Sequence, residues 1–192
     1  MKKIFSIFGD PVSHSRSPLM HNSVFKHLNY NACYTRTHLQ NGDELKKTFF
    51  DLKLSGANVT VPHKEAAFKA CDEVRGFAKK IGVVNTLVNE NGKLIGYNTD
   101  ADGFMYAISE FGSIKNILVL GAGGTAKALV SRFLEDGLSV TVLNRSEKRL
   151  PYFKELHCTS YTWDNFILSK YDLVVNTTSA GLKDENLPAP DA

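Results

Sequence analysis

Residues 121–126 read Gly-Ala-Gly-Gly-Thr-Ala and follow directly on a compact apolar run over 116–120. A glycine turn between a strand and a helix can cradle phosphate. Gly121 permits the sharp exit from the strand, Gly123 lets the backbone approach a pyrophosphate, and Ala126 is small enough for the helix to pack on the sheet. Ala122, Gly124 and Thr125 complete a turn whose free N–H groups and helix dipole would hold the phosphates. The next expected strand ends in Asn144-Arg145-Ser146-Glu147-Lys148-Arg149. A unit built for NAD carries Asp or Glu about 20 residues beyond the glycines to bond the ribose 2′-hydroxyl, and here no carboxylate occupies that strand tip. Arg145 and Arg149 are four apart and would converge on a starting helix, with Ser146 adding a hydroxyl; the set suits a dianionic 2′-phosphate. The cofactor expected is NADP.

The first hundred residues hold three polar clusters at expected strand ends or loops: Ser13-His14-Ser15-Arg16-Ser17-Pro18, then Asn58-Val59-Thr60-Val61-Pro62-His63-Lys64, then Asn85-Thr86 with Asn98-Thr99-Asp100. Side chains at the C-terminal tips of an α/β sheet face the ligand crevice. Along 58–61 the period of two puts Asn58 and Thr60 on one face of a strand and Val59 and Val61 on the other, buried one. His14 and His63 read as structural or solvated, and no His and carboxylate cluster has metal-ligand spacing.

The elements that must carry these residues alternate between strand and helix patterns, the signature of an α/β protein with largely parallel strands. Strands are expected at 4–8, 32–37, 57–61, 116–120, 139–143 and 172–176. A hairpin of 83–88 with 93–97 would turn across Asn91-Gly92, a pair that tolerates positive φ. Helices are expected from Ser17-Pro18, with Ser17 as N-cap and Met20, Val24 and Leu28 buried; over 43–53 on Leu45, Phe49 and Leu52; and after Pro62, with Lys64 at the helix mouth. Further helices run through Phe104, Ile108 and Phe111 to Gly112, then on Ala128, Leu129 and Phe133, and over 147–156. Strand, glycine turn, helix, strand is a mononucleotide-binding unit. The expected domains are therefore 1–100, binding substrate, and 101–192, a Rossmann-like NADP-binding domain, joined near 100–113.

Composition narrows the function classes. The chain has 192 residues, 43% of them hydrophobic, enough to bury a real core. Lys and Arg number 23 against 20 Asp and Glu, a balance too even to indicate nucleic acid or a membrane surface. No apolar run approaches the roughly 18 residues of a membrane span. Three cysteines without CxxC spacing suit the reducing cytoplasm. The expected partner is a small-molecule substrate, with no metal and with a homodimer as the one assembly entertained.

Seven segments together resemble the shikimate dehydrogenase family: the three clusters above, extended to Val-Val-Asn-Thr over 83–86 and Gly-Tyr-Asn-Thr-Asp over 96–100, with the glycine turn, Asn-Arg-Ser with Arg149, and Asn-Thr-Thr-Ser-Ala-Gly over 176–181. They stand in the family's order. The resemblance implies NADP-dependent reduction of 3-dehydroshikimate to shikimate, a step toward aromatic amino acids. It makes Ser15 and Ser17, with Thr60, donors to the substrate carboxylate; Asn85 and Asp100 holders of ring hydroxyls; Lys64 and Asp100 the catalytic pair; and Thr178 a cofactor contact. Hydride transfer to a ketone leaves an alkoxide that must gain a proton, which is what Lys64 would supply. The alternatives are a quinate/shikimate dehydrogenase using NAD and a non-catalytic NADP-binding relative. The family continues past Gly181 with strands and helices that contribute a glutamine and a tyrosine to the site, so the resemblance implies little turnover from a chain that stops at residue 192.

Overall fold

Phe5 and Ile7 alternate with Ile4 and Phe8 along β1 (Lys3–Gly9), so one strand feeds two apolar layers. The computed structural model that shows this describes residues 2–181 and residue 188. The chain divides into two units, Met1–Thr99 and Asp100–Ala192. Of the expected second domain, residues 182–187 and 189–192 lie outside the described residues.

In the first unit β1 is followed by α1 (Ser17–His27), β2 (Ala32–His38), α2 (Leu45–Asp51), β3 (Gly56–Val59), α3 (Lys64–Ala70), β4 (Glu73–Val74), α4 (Phe77–Ile81), β5 (Thr86–Glu90) and β6 (Lys93–Tyr97). One sheet runs β2-β1-β3-β5-β6-β4. Strands β2, β1 and β3 are parallel, while β5 pairs antiparallel with both β3 and β6. The hairpin turns on Asn91 and Gly92 at φ 54° and 82°, the positive values that this dipeptide accommodates. Phe8, Leu45, Phe49, Ala57, Val59 and Leu87 pack on one face of the sheet; Ile7, Val12 and Tyr34, with Phe5 and Phe25, pack on the other.

Helix α1 departs from expectation. Met20, Val24 and Leu28 are exposed, and the packed residues are Pro18, His21 and Phe25. Phe25 meets Phe5, and His21 stacks on Tyr34, so aromatic contact sets the rotation of the helix. Arg16 rather than Ser17 takes the N-cap position. Next along α1, the Asn22 carboxamide bonds both backbone groups of Tyr34, donating to its carbonyl and accepting from its N–H, each at 2.9 Å. Two further positions are corrected. Leu52 follows the end of α2 and is exposed, and Val61 is exposed because β3 stops at Val59 and the period of two stops with it.

The second unit comprises α5 (Asp100–Ile108), β7 (Asn116–Leu120), α6 (Gly124–Glu135), β8 (Ser139–Asn144), α7 (Pro151–Glu155), β9 (Thr159–Thr162) and β10 (Leu173–Asn176). The four strands among the described residues are parallel, in the order β10-β7-β8-β9. Ala126, Ala128, Leu129 and Phe133 form the buried stripe of α6, as their helical spacing requires. Helix α5 ends three residues before Phe111, which is exposed. The helix expected over 147–156 is a 3-10 turn, Glu147–Arg149, followed by α7, because Pro151 opens a new helical segment at its first turn. Strand β9 went unread: Thr-Ser-Tyr-Thr has strand-forming residues but no apolar alternation. Cys33, Cys71 and Cys158 are free, and no helix among the described residues is long and apolar enough to cross a membrane.

Asp172 ties the β10 end of this sheet to β7, its carboxylate accepting from the N–H groups of Lys115 and Asn116 at 2.9 and 2.8 Å. Those bonds hold its carboxyl below the ordinary value. A lowered folded-state value means that the stabilisation is complete above the unfolded carboxylate range, near pH 4, and disappears as pH falls through the lower folded value. Asp172→Asn should therefore flatten the acid limb of a stability-versus-pH curve from urea titrations while leaving its shape above pH 6 unchanged.

Candidate active site

Parallel pairing carries the chain ends of β1 and β3 to one edge of the first sheet, and the antiparallel hairpin brings the start of β5 and the end of β6 to the same edge. Ser15 and Ser17 follow β1, Thr60 and Lys64 follow β3, Asn85 precedes β5 and Thr99 follows β6. The first two serines are adjacent in space: Ser15 Oγ donates to Ser17 Oγ at 3.2 Å and accepts from the Ser17 N–H at 3.3 Å. This places two hydroxyls at the opening of an eleven-residue helix, a setting that favours an anion such as a carboxylate. The Ser15 carbonyl accepts from the Arg36 guanidinium through Nε, at 2.9 Å, and through Nη2.

Thr60 lies against the end of β1. A Cβ placed on Gly9 would stand 2.5 Å from the Thr60 methyl, so only glycine lets the two loops approach this closely. Lys64 is half-buried as the first residue of α3, and its carbonyl accepts from the Val84 N–H, which fixes it beside the segment leading to Asn85. Its neighbour His63 is buried, with Nε2 donating to the Leu39 carbonyl, a structural role as expected. Asn85 is buried at 7% exposure. Its Oδ1 accepts from Thr86 Oγ1 at 2.8 Å and from the Thr99 N–H at 3.0 Å, which turns its Nδ2 toward Thr99 Oγ1 at 3.2 Å.

In the second unit the strand order reverses between β7 and β10, and ligands of open α/β sheets bind at such a switch point beyond the strand ends. The glycine turn stands there. Gly121 has φ 104°, and a Cβ on it would lie 2.7 Å from Thr177 Oγ1 and 2.9 Å from the Thr178 methyl. Thr177 cannot yield, because its Oγ1 donates to the Leu120 carbonyl at 2.7 Å. Thr178 Oγ1 donates to Asn176 Oδ1, which holds it next to the turn. Gly123 is the N-cap of α6, with Ala122 buried before it and Gly124 and Thr125 opening the helix; Ala126 is fully buried against the sheet. Arg149 reaches back to this turn: its Nη1 is 3.8 Å from the position of a Cβ on Gly123. Asn144 donates to the Ser146 carbonyl at 2.8 Å and shapes the loop. Arg145 and Ser146 are exposed and precede the 3-10 turn, so Arg145 and Arg149 do not share a continuous helix as their spacing suggested. A dinucleotide fits these residues: a Cβ on Gly123 would meet only the Arg149 guanidinium, at 3.8 Å, and the N-terminus of α6 opens at the same turn.

The profile of a family described as "Shikimate dehydrogenase substrate binding domain" matches residues 7–87. A curated relative, "Shikimate dehydrogenase (NADP(+))" of Helicobacter hepaticus, is 43% identical over 194 aligned residues, covering all of this chain and 72% of its own length. The chain belongs to the shikimate dehydrogenase family. Among solved structures, a shikimate dehydrogenase of Aquifex aeolicus aligns with a TM-score of 0.88 at 38% identity, over 97% of this chain and 72% of that one. That of Thermus thermophilus, solved in complex with NADP(H) and shikimate, aligns with a TM-score of 0.86 at 33% identity, over 98% of this chain and 73% of its own. Sequence reasoning missed Arg36. An alternating Tyr-Thr-Arg-Thr strand gives no sign that its arginine crosses to a loop 21 residues earlier.

Gly121→Ala should cost about 1–3 kcal/mol, the range for a residue forced into strained backbone, plus the displacement of Thr177. Urea unfolding followed by circular dichroism would measure it; a loss below about 0.5 kcal/mol would contradict the close approach.

Proposed function

We propose that this chain catalyses the NADP-dependent interconversion of 3-dehydroshikimate and shikimate, with residues 1–100 binding substrate and the remainder binding cofactor. The observation that carries the reading is the gathering of Ser15, Ser17, Thr60, Lys64 and Asn85 at one edge of a single sheet. Hydroxyl donors, an ammonium and a carboxamide there match a small polyhydroxylated acid. The names of the relatives support the same substrate and cofactor.

NADP, when bound, supplies the hydride that the carbonyl carbon gains or takes the one that the alcohol carbon loses. The residues of the chain do the rest. Ser15 and Ser17, assisted by Thr60, donate to the substrate carboxylate and fix the ring's orientation. Lys64 Nζ gives the proton that the carbonyl oxygen needs on reduction and takes it back on oxidation. Asp100, the other member of the catalytic pair, accepts from the neighbouring substrate hydroxyl, while the Asn85 carboxamide holds another ring hydroxyl. On the cofactor side the turn from Gly121 to Ala126 takes the pyrophosphate, Asn144, Arg145, Ser146 and Arg149 take the 2′-phosphate, and Thr178 lines the crevice.

Replacing Lys64 with Ala should lower kcat about 100-fold or more while changing shikimate affinity less than tenfold, the division expected of a proton donor. A kcat left within threefold of the parent's would transfer the role elsewhere. Arg149→Ala should weaken NADP binding about 10- to 100-fold, the equivalent of one charge-assisted hydrogen-bonded pair, and leave NAD binding nearly unchanged. Equal losses for the two cofactors, measured by calorimetry, would remove Arg149 from the 2′-phosphate.

A further inference from the structure

Tyr34 is held more firmly than a core aromatic needs to be. It is 5% exposed on β2, two strands away from β3. Its ring stacks on His21 with centroids 4.3 Å apart and planes 8° from parallel, and its backbone is gripped on both sides by the Asn22 carboxamide. From that position its hydroxyl reaches over β1 and donates to Asn58 Oδ1 at 2.6 Å. Burial raises the phenol above its ordinary value, so the group remains a donor throughout the working pH range.

The direction of that bond has consequences further along. With Oδ1 facing Tyr34, the Asn58 amino group faces the Asn85 carbonyl at 3.5 Å and Thr86 Oγ1 at 3.4 Å. Thr86 Oγ1 then accepts from Asn58 and spends its own hydrogen on Asn85 Oδ1, at 2.8 Å. The Asn85 carboxamide is fixed as an acceptor on that side, and its amino group is turned toward Thr99. Without the phenol, Asn58 Oδ1 loses its donor, and a half-turn of the amide is opposed from the Asn85 side alone. Its oxygen would then face the Asn85 carbonyl, two acceptors in opposition, and would compete with Asn85 for the Thr86 hydrogen.

We propose that Tyr34 is a positioning residue for substrate recognition, reinforcing through Asn58 and Thr86 the orientation that the Thr99 N–H also gives the Asn85 carboxamide. The proposal rests on the reading of Asn85 as a holder of a substrate hydroxyl. It assigns to an aromatic residue of the edge strand a part in specificity for polyhydroxylated rings, distinct from its part in the core.

The test uses the whole chain and shikimate as the probe. Tyr34→Phe keeps the ring and its stack on His21 and removes only the hydroxyl; Thr86→Val cuts the chain of bonds further on. Each should weaken shikimate binding about fivefold or more by calorimetry, leave NADP binding within twofold, and shift the side-chain amide NMR signals of both Asn58 and Asn85. The double variant should bind no worse than the weaker single one, because the two changes break one chain. Shikimate binding unchanged in Tyr34→Phe, an Asn85 signal that stays in place, or losses that simply add in the double variant would overturn the proposal. A parent chain that binds NADP but not shikimate would instead overturn the reading of Asn85.

Discussion

The antiparallel seating of β5 against β3 is the constraint on which the candidate site depends. Parallel strands alone would deliver the tips of β1 and β3 to one edge and leave the next strand's start at the far end. Reversing β5 brings its beginning to that edge, and the tight turn at Asn91-Gly92 returns β6 so that its end arrives there too. The register is as important as the direction. Asn58 stands opposite Thr86, and Thr86 opposite Tyr97. A slip of one residue would turn the polar side chains into the layer of Phe8, Phe49 and Leu87, so the cost of burying unpaired amides helps to keep the pairing in place.

The second sheet solves a different problem with fewer polar groups. Four parallel strands place the glycine turn where the order reverses, and the backbone at Gly121 is accommodated only because no side chain competes with Thr177 and Thr178. The hydrogen bonds of Thr177 to Leu120, through both its N–H and its hydroxyl, lock β10's exit to the end of β7. Ligand binding and strand-end closure therefore draw on the same few residues, so a substitution at the turn disturbs both.

Motif chemistry was legible in the sequence wherever a residue's role depends on its neighbours in the chain. The glycine turn, the Asn91-Gly92 hairpin and the α6 stripe of Ala128, Leu129 and Phe133 are local patterns of this kind. What could not be read is the rotation of α1. Met20, Val24 and Leu28 have the better hydrophobic spacing, yet Phe25 and His21 face the sheet, because aromatic partners on β1 and β2 outweigh the aliphatic row. Arg36 and Tyr34 escaped for the same reason. Their partners, Ser15 and Asn58, lie 21 and 24 residues away, and single-chain periodicity carries no information about such pairs. The seven segments that resemble the family supplied the roles of Ser15, Lys64 and Asn85, which spacing by itself leaves open.

One side chain on α1 also covers part of a sheet edge. Strand β2 is the open margin of its sheet, and every second residue there turns its amide outward, an invitation to a foreign strand. The carboxamide of Asn22 occupies the middle of that margin, imitating the two bonds that an incoming chain would form with Tyr34. A single asparagine thereby satisfies, within the chain, backbone groups of Tyr34 that an unpaired edge would leave open to a foreign strand.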